Sequence, residues 1–495
     1  TEKVDEIYNQ ASFLLSKILP TTYQRSSTMG TAGQWKLLMS AWSYEQNLAI
    51  PSFGEKTPFT GGLSRLLRTG YAKRVYKLDF AALYPKTQLT WDIFPDLDIS
   101  HVMKGLLTYI VSTRDEFKFL TGKYKGMVTG LKLQLEGLDP NTAEYEKVKA
   151  DVVKYSKLKS DADKKQLPLK ILANSFFGSY GAPHIFPWGD VPSAERTTCM
   201  SRQHLRLMVR FFSEKGLTPL VGDTDGFNFS APDEIDDYRY TPKCDHWKTK
   251  EYEGKGELEG MEALVAEFNE LHMKGWMGLD IDDVCDSTIN FMRKNYCNLI
   301  DGKVKLVGNS IKSKVMPTYI EEFLDIGIPL LLNNKGYEFI QAYYAKVDEI
   351  FNYEIPIIKI ASKSKVKQTV EGYQAECKTK TKGGTFKARK AHMELIIAND
   401  LKPNLGDVIY YVNNATSMSA GDVVVKTDKE SKARTVNINC TYIPESQLED
   451  NPNLTTEGYN APKYIRALNK KMASLLVCFD ESIRDTILID TYKDR

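Results

Sequence analysis

The chain has 495 residues, which is enough for about three domains of ordinary size. Hydrophobic residues make up 42% of the chain and the net charge is +2, so it can bury sizeable cores and is not a uniformly basic nucleic-acid binder. Seven scattered cysteines and the lack of a membrane-length apolar run argue against a disulfide scaffold and a membrane protein, and we expect a cytoplasmic location.

The first sixty residues contain one predicted helix followed by a loop-rich stretch. A helix from residue 1 to about residue 20 is predicted by apolar residues that recur at helical spacing: Ile7, Phe13, Leu14, Ile18 and Leu19. The next forty residues are predicted to be loop-rich and end at Phe59-Thr-Gly-Gly62. Because paired glycines permit backbone conformations that other residues resist, we expect a bend or linker here.

A predicted strand then ends in a carboxylate. Val75–Phe80 is rich in the β-branched and aromatic residues that favour strands, and Pro85 prevents a simple continuation. Asp79 lies near the strand end, where a buried carboxylate is costly unless it is paired or binds a metal. Two interpretations stay open for this segment alone: Asp79 binds a metal, or it caps the next helix.

Two long helices are predicted next. The first covers residues 102 to about 136, and Arg114 and Lys118 lie four residues apart on one of its faces. Asn141 and Glu144 form an N-cap signature for the second helix.

The second helix is rich in lysine, and most of its lysines are expected to form a solvated face. Pro168 is expected to kink it. Beyond the proline, Lys170, Asn174 and Phe177 fall on one face. Two antiparallel helices with cations between them would form an arm suited to gripping a triphosphate, since lysine and arginine both match phosphate oxygens.

The stretch Leu220–Phe229 is predicted to be a hairpin with a short polar turn. Asp223 and Asp225 lie at or beside its tip, two residues apart. Carboxylates this close repel one another unless a cation lies near them, and oxygen ligands of this kind suit Mg²⁺. Asp-Gly turns also close many purely structural hairpins, so this stretch alone leaves both interpretations open.

The last two hundred residues contain a second hairpin, helices and one strongly basic segment. Lys294-Asn-Tyr296 begins a predicted strand-turn-strand with Asp301-Gly302 at the turn, and helical patterns resume near residue 321. Lys363–Lys390 carries nine basic and two acidic residues, which indicates a solvated loop or a surface that follows phosphates. Lys463–Ile489 is predicted to be a closing helix.

Three of these signals together resemble the polymerase motifs of the family B DNA polymerases. They are D-F-A-A-L-Y-P at 79–85, K-I-L-A-N-S-F-F-G at 170–178 and G-D-T-D-G at 222–226, in that order. Phe59–Gly62 is similar to the family's Y-x-G-G junction, and Lys294–Tyr296 is similar to its K-x-Y motif. The style of the intervening sequence suggests a viral member from a bacteriophage, which would act in the host cytoplasm.

The resemblance implies an α+β, right-hand fold with palm, fingers and thumb. The predicted parts are an N-terminal segment and junction at 1–62, the first part of the palm at 63–103, fingers at 104–182, the second part of the palm at 183–320 and a thumb at 321–495.

The implied activity is template-directed addition of deoxynucleotides to a primer 3′ hydroxyl. Its substrates would be a DNA primer-template and deoxynucleoside triphosphates. Asp79, Asp225 and the main chain at Phe80 would hold two Mg²⁺ ions, with Mn²⁺ as an alternative. Asp223 would be a nearby carboxylate, and Lys170 would neutralise charge that develops on the phosphates.

Two further sets of residues take their roles from the same resemblance. The residues implied to bind the nucleotide are Ala82, Leu83, Tyr84, Arg114, Lys118, Lys170 and Asn174. Those expected to bind DNA are Lys294, Tyr296, Lys378, Lys380 and Lys382. Tyr84 would lie under the incoming sugar and exclude ribonucleotides.

The sequence departs from the family pattern at three positions. Ala82 stands where the family usually has serine, Phe177 where it has tyrosine, and Gly226 where it has serine. None of these changes removes a metal ligand, so catalysis is expected. Phe177 keeps the ring but loses the hydroxyl, which puts fidelity in more doubt than catalysis.

Two lengths in the sequence lead to expectations about proofreading and priming. Only about sixty residues precede the junction, so we expect any 3′-5′ exonuclease to be absent, removed or supplied by a separate chain among replication accessory proteins. The short interval between Asp79 and Lys170 favours a nucleic-acid primer over a protein primer. Protein priming and a catalytically weak protein that binds primer-template stay as alternatives.

Overall fold

The computed structural model describes residues 13, 15–98, 100–311, 316–379, 390–414, 423–425, 436–438 and 440–489. The chain divides into two compact units. The first unit comprises the described residues up to Arg65 together with Tyr76–Asp283, and the second comprises Leu66–Val75 and the described residues from Val284 onward. The predicted domain boundaries remain predictions.

The first unit contains both helices and strands. Its helices are α1 (Tyr23–Thr28), α2 (Thr31–Glu45), α3 (Leu83–Trp91), α4 (Val102–Glu136), α5 (Ala143–Tyr180), α6 (Val191–Glu214) and α7 (Gly260–His272). The strands that begin in it or extend into it are β1 (Ser64–Leu66), β2 (Gly70–Phe80), β3 (Thr218–Asp223), β4 (Gly226–Ser230), β5 (Arg239–Tyr240), β6 (Leu258–Glu259) and β7 (Leu279–Met292).

The second unit continues with hairpins and helices. Its further strands are β8 (Asn295–Ile300), β9 (Lys303–Val307), β10 (Ser362–Lys365), β11 (Val408–Asn413), β12 (Val423–Val425), β13 (Val436–Ile438) and β14 (Cys440–Ile443). Its helices are α8 (Thr318–Leu332), α9 (Gly336–Phe351), α10 (Ile357–Ile360), α11 (Val370–Cys377), α12 (Ala391–Ala398), α13 (Glu445–Asp450), α14 (Ala461–Leu475) and α15 (Glu481–Ile487).

The sheet of the first unit brings together strands that are far apart in the chain. The strands of this sheet that lie in or extend into the first unit run in the order β1-β3-β4-β2-β7, so the β3–β4 hairpin lies directly beside β2. The side chains beneath this sheet are rings that pack edge-on or tilted: Phe212 lies 5.4 Å from Phe229 and 5.5 Å from Phe268, between ring centroids. All three rings are fully buried, which anchors the sheet against α6 and α7.

Helices α4 and α5 pack against one another along their length as an antiparallel pair. Tyr124 meets Tyr155 with ring centroids 6.1 Å apart, whereas Phe117, earlier in α4, meets Lys165, later in α5. The predicted long helix at 102–136 is confirmed. The second helix continues through Pro168.

Three predictions about local structure are wrong. Residues 21–61 are not all loop, because α2 forms there: Trp35 is fully buried and donates a hydrogen bond to Leu172 O at 3.0 Å, a tertiary contact that the local pattern does not contain. The N-cap of α5 is Thr142 rather than Asn141, because Thr142 Oγ1 accepts from Tyr145 N while the main chain of Asn141 donates to Asp139.

The third wrong prediction is the closing helix, which is interrupted. Helix α14 ends at Leu475, a short 3₁₀ turn follows, and α15 begins only at Glu481. Phe479 is extended between them, and its ring stacks on Phe339 at 6.0 Å. Packing of that ring against α9 therefore overrides the helical pattern.

No helix in the described part of the chain is long and apolar enough to cross a membrane.

Candidate active site

The turn between β3 and β4 is held in one geometry by three hydrogen bonds. Asp225 N donates to Asp223 O at 2.7 Å, Thr224 N donates to Leu63 O at 2.7 Å, and Thr224 Oγ1 donates to Asp223 Oδ1 at 3.0 Å. Thr224 has a φ of 63°, which is strained for a β-branched residue. Strain of this kind persists only where the surroundings fix the conformation, so both carboxylates have defined positions.

The end of β2 lies against this turn, which brings Asp79 beside Asp225. Phe80 N donates to Asp225 O at 2.9 Å. Gly226 fits there only because it has no side chain, since a Cβ on it would lie 2.7 Å from Asp79 Oδ1. The N-cap of α3 is Ala82, without a side-chain hydrogen bond, so Asp79 is not the cap of that helix.

The two carboxylates are poorly neutralised by the protein. Burial and the neighbouring charge of Asp225 together raise the pKa of Asp79 to about 8, although Lys77 and Lys170 oppose the shift. Desolvation by the surrounding protein also raises the pKa of the Asp225 carboxyl, although the residue as a whole is exposed at the tip of the turn. A bound cation would relieve this unfavourable burial of like charges.

The donor set fits magnesium. Asp79 and Asp225 supply carboxylate oxygens, and Phe80, whose side chain is buried, has only main-chain atoms to offer. Within the described ranges, no three His, Cys, Asp or Glu side chains form a group suited to a metal. Mg²⁺ commonly uses one or two carboxylates and completes its shell with water and substrate phosphates, so a third such side chain is not required.

A cavity of about 720 Å³ opens from these carboxylates toward α4 and α5. All seven residues predicted to bind the nucleotide line it: Ala82, Leu83, Tyr84, Arg114, Lys118, Lys170 and Asn174. Asp79, Asp225 and Phe177 line it as well, whereas Asp223 lies in the same turn outside the lining. The structure thus gathers three separated motifs around one space that both carboxylates and cations line.

Arg114 is the most unusual cation of the cavity. It is only 6% exposed, and burial lowers the pKa of its guanidinium. Its Nε and Nη1 have no hydrogen-bond partner among the described residues. A buried guanidinium with unused donors is costly, and an anion in the cavity would satisfy it.

Lys118, one helical turn later, is held by a carboxylate across the cavity. Its Nζ lies 3.4 Å from Asp280 Oδ2, and Lys248 pairs with the other oxygen of Asp280. Burial alone would raise the pKa of Asp280, but the ion pairs with Lys248 and Lys118 lower it instead.

The start of α3 forms another part of the lining. Ala82 has a φ of 56°, in the left-handed region that glycine favours, and α3 begins at the next residue. The first main-chain N–H groups of a helix lack intrahelical acceptors and favour negative charge. Tyr84 follows in the first turn, and its ring packs on Phe177 with centroids 4.3 Å apart.

Sequence reasoning missed five charged residues that complete the site. Lys248, Glu251, Asp280 and Asp282 line the cavity, and Lys77 forms an ion pair with Asp282. Two signals could have found some of them: Lys77 lies two residues before Asp79 on one strand, and Asp280 and Asp282 alternate on another, which places each pair on one face.

The residues predicted to bind DNA belong to the second unit. Tyr296 is buried in β8, Lys294 precedes that strand with a φ of 61°, and Lys378 is exposed at the end of α11. Lys380 and Lys382 lie outside the described residues.

A groove of about 350 Å³ in the second unit is lined by lysines of the basic segment. Lys363, Lys365, Lys367 and Lys390 contribute to it, together with His392. Burial lowers the pKa of His392, and the charges of Lys390 and Lys367 lower it further. The groove is therefore a cationic surface suited to an anion.

The chain is similar in sequence to archaeal DNA polymerases. The DNA polymerase of Thermococcus gorgonarius is 31% identical over 216 residues, which cover 42% of this chain and 26% of that protein. DNA polymerase 1 of Saccharolobus solfataricus is 26% identical over 263 residues, covering 50% of this chain and 25% of that protein. The matched regions thus span about a quarter of these relatives. No protein-family model matches the chain.

The fold is that of a family B DNA polymerase. The structure of the family B DNA polymerase from the hyperthermophilic archaeon Pyrobaculum calidifontis superposes with a TM-score of 0.59 at 14% identity, covering 97% of this chain and 55% of that one. The predicted α+β polymerase fold is confirmed. These archaeal matches give no support to a bacteriophage origin, which stays a prediction.

Proposed function

We propose that this chain is a DNA-directed DNA polymerase that adds deoxynucleotides to the 3′ hydroxyl of a primer on a DNA template. The observation that carries the proposal is that Asp79 and Asp225 line the same cavity as Arg114, Lys118 and Lys170. Phosphoryl transfer needs little more from a protein than positioned acids for metal ions and positioned cations for phosphate charge. The sequence similarity to archaeal DNA polymerases supports the same activity.

Asp79 and Asp225, with the main chain of Phe80, would hold magnesium. When bound, two Mg²⁺ ions, or Mn²⁺ in their place, would make the primer hydroxyl a better nucleophile and neutralise charge on the triphosphate. The raised pKa values of both carboxylates support this assignment, because burial disfavours their negative charge and Lys77 and Lys170 offset that effect only in part.

Arg114, Lys118 and Lys170 would bind the triphosphate, with Asn174 beside them. Arg114 has two unused donors within the described structure, and a planar guanidinium matches phosphate oxygens in pairs. The free N–H groups at the start of α3 would add to this grip. Lys118 would exchange its carboxylate partner, Asp280, for a phosphate.

The cationic groove of the second unit would contact the phosphates of the primer-template. Lys363, Lys365, Lys367 and Lys390 supply point charges without base-reading geometry, which suits binding that does not depend on sequence. Lys378, Lys380 and Lys382 would extend that contact, and Lys294 and Tyr296 would hold the primer end.

Primer extension on a defined DNA template, with Mg²⁺ and each deoxynucleotide in turn, tests the proposal. We expect templated extension by the native chain. Asp79→Asn and Asp225→Asn should abolish extension and leave primer-template affinity nearly unchanged, because that affinity depends mainly on lysine and arginine contacts to phosphates.

Asp161→Asn is the matched control, since it removes a carboxylate of α5 that does not line the cavity. Binding of primer-template without extension by the native chain would instead identify a non-catalytic binder. Extension that requires a protein-linked nucleotide would identify a protein-primed enzyme.

A further inference from the structure

Gly62 lies against the hydroxyl of Tyr84. A Cβ on Gly62 would lie 2.3 Å from Tyr84 Oη, 3.6 Å from Tyr84 Cζ and 3.4 Å from Thr224 Cγ2. Its neighbour Gly61 is different, because a Cβ there would meet nothing within 4 Å. Neither glycine has a positive φ. Position 62 therefore needs glycine for close approach to the ring and not for backbone conformation.

The main chain around Gly62 is pinned, so it cannot retreat from the ring. Arg202 Nη1 donates to Thr60 O at 2.9 Å and to Gly61 O at 2.7 Å. Thr198 Oγ1 donates to Thr60 O at 2.7 Å, and Leu63 O accepts from the strained turn at Thr224. A side chain at position 62 would consequently displace Tyr84 rather than the backbone.

The ring of Tyr84 is also supported by other aromatic side chains. Phe177 packs on Tyr84 with centroids 4.3 Å apart, and Phe59 meets Phe177 edge-on at 6.1 Å. Phe59 in turn packs on the main chain of Gly181, since a Cβ on Gly181 would lie 2.5 Å from Phe59 Cε1. The segment from Phe59 to Gly62 thus supports the ring directly at its hydroxyl end and indirectly through Phe177.

We propose that Gly62 is a positioning residue for Tyr84 and thereby sets how strictly the site discriminates deoxyribonucleotides from ribonucleotides. This inference depends on the proposed polymerase function and on the role that the resemblance to family B DNA polymerases implies for Tyr84, under the sugar of the incoming nucleotide. A close-packed ring excludes a 2′ hydroxyl only while it is held in one place, because discrimination by fit is lost when the supporting contacts let the ring move.

The test compares four variants by the ratio of kcat/KM for ribonucleotide over deoxyribonucleotide addition. Gly62→Ala should raise this ratio about tenfold, the scale of discrimination by imperfect fit. Gly61→Ala is the matched control and should keep the native ratio. Tyr84→Phe removes Oη and leaves Cζ as the nearest ring atom, at an ordinary contact distance of 3.6 Å from the added Cβ.

The double variant Gly62→Ala/Tyr84→Phe should therefore return to the ratio of Tyr84→Phe alone. General destabilisation would lower both rates together and would not be rescued by removing one hydroxyl. Arg202→Met offers a second route if Gly62→Ala does not fold: it releases the junction main chain, and we expect the ratio to rise severalfold.

The inference is overturned if Gly62→Ala keeps the native ratio, or if Tyr84→Phe does not reverse its effect. With Gly62→Ala unfolded, a native ratio in Arg202→Met overturns it equally. Failure of the native chain to extend a primer would instead contradict the proposed function, so the two failures are distinct.

Discussion

Gly226 and Asp79 occupy adjoining strands so closely that no side chain fits between them. A Cβ on Gly226 would lie 2.5 Å from the main-chain oxygen of Leu78 and 2.7 Å from Asp79 Oδ1. Phe80 N holds the two strands at this distance through its hydrogen bond to Asp225 O. The serine that family B DNA polymerases usually have at this position would force the backbone that carries Asp79 to move.

Gly226→Ser should therefore reduce primer extension by about a hundredfold or more, because small displacements of a catalytic group cost that much. Primer-template affinity should change little. Gly130→Ala in α4 is the control, since a Cβ there meets nothing within 4 Å. Near-native extension by Gly226→Ser would mean that Asp79 tolerates the shift or is not catalytic.

The buried charge of Asp79 predicts a pH-dependent stability difference in metal-free protein. The pKa of Asp79 is raised from 3.8 to about 8 in the folded state. Its contribution to the free energy of unfolding is therefore fully present below about pH 4 and is lost as the pH rises through 8, where the buried carboxyl must ionise. Asp79→Asn should then melt a few degrees above the native chain at pH 9 in chelator, and equally at pH 4. Mg²⁺ should raise the melting temperature of the native chain at pH 9 more than that of the variant. Parallel melting curves at both pH values would contradict this account.

Ala82 adopts a conformation that favours glycine. Its φ of 56° places it in the left-handed region, so Ala82→Gly should stabilise the chain by about 0.5–1 kcal/mol in denaturant unfolding. Ala81→Gly, at an adjacent position without a positive φ, should destabilise it instead. If both variants lowered the free energy of unfolding, glycine would not be relieving backbone strain at Ala82.

Asp280 competes with the proposed triphosphate for Lys118. Asp280→Asn should lower the KM for the nucleotide about two- to fivefold, because a partly exposed ion pair is worth about 1 kcal/mol. Asp283→Asn removes a neighbouring charge outside the cavity lining and serves as the control. Equal KM changes in the two variants would indicate a general field effect rather than release of Lys118.

The basic segment should contribute to DNA affinity through counterion release. Neutralising Lys378, Lys380 and Lys382 together should weaken primer-template binding and flatten its salt dependence by about one unit of log–log slope for each lost phosphate contact. Nucleotide KM should stay native. An unchanged salt slope would leave these lysines as a solvated surface.

Local patterns in the sequence determined the elements that carry the site. Alternation and turn residues predicted the β3–β4 hairpin, and β-branched and aromatic content predicted the strand of Asp79. The period of 3.6 placed Arg114 with Lys118 and Lys170 with Asn174. These predictions succeed because each depends on neighbours within one or two turns of chain. They fail where distant packing decides: buried Trp35 holds a helix in a segment predicted as loop, and Phe479 interrupts the closing helix.

Only the tertiary structure decided how these elements meet. It placed Asp280 opposite Lys118, buried Arg114, raised the pKa of Asp79 and set Gly62 against Tyr84. No spacing in the sequence encodes these relationships, because they join residues on separate elements at distances of a few ångströms. The sequence determines which side chains carry charge. Packing determines how deeply they are buried and which charges lie beside them, and these two factors set their pKa values.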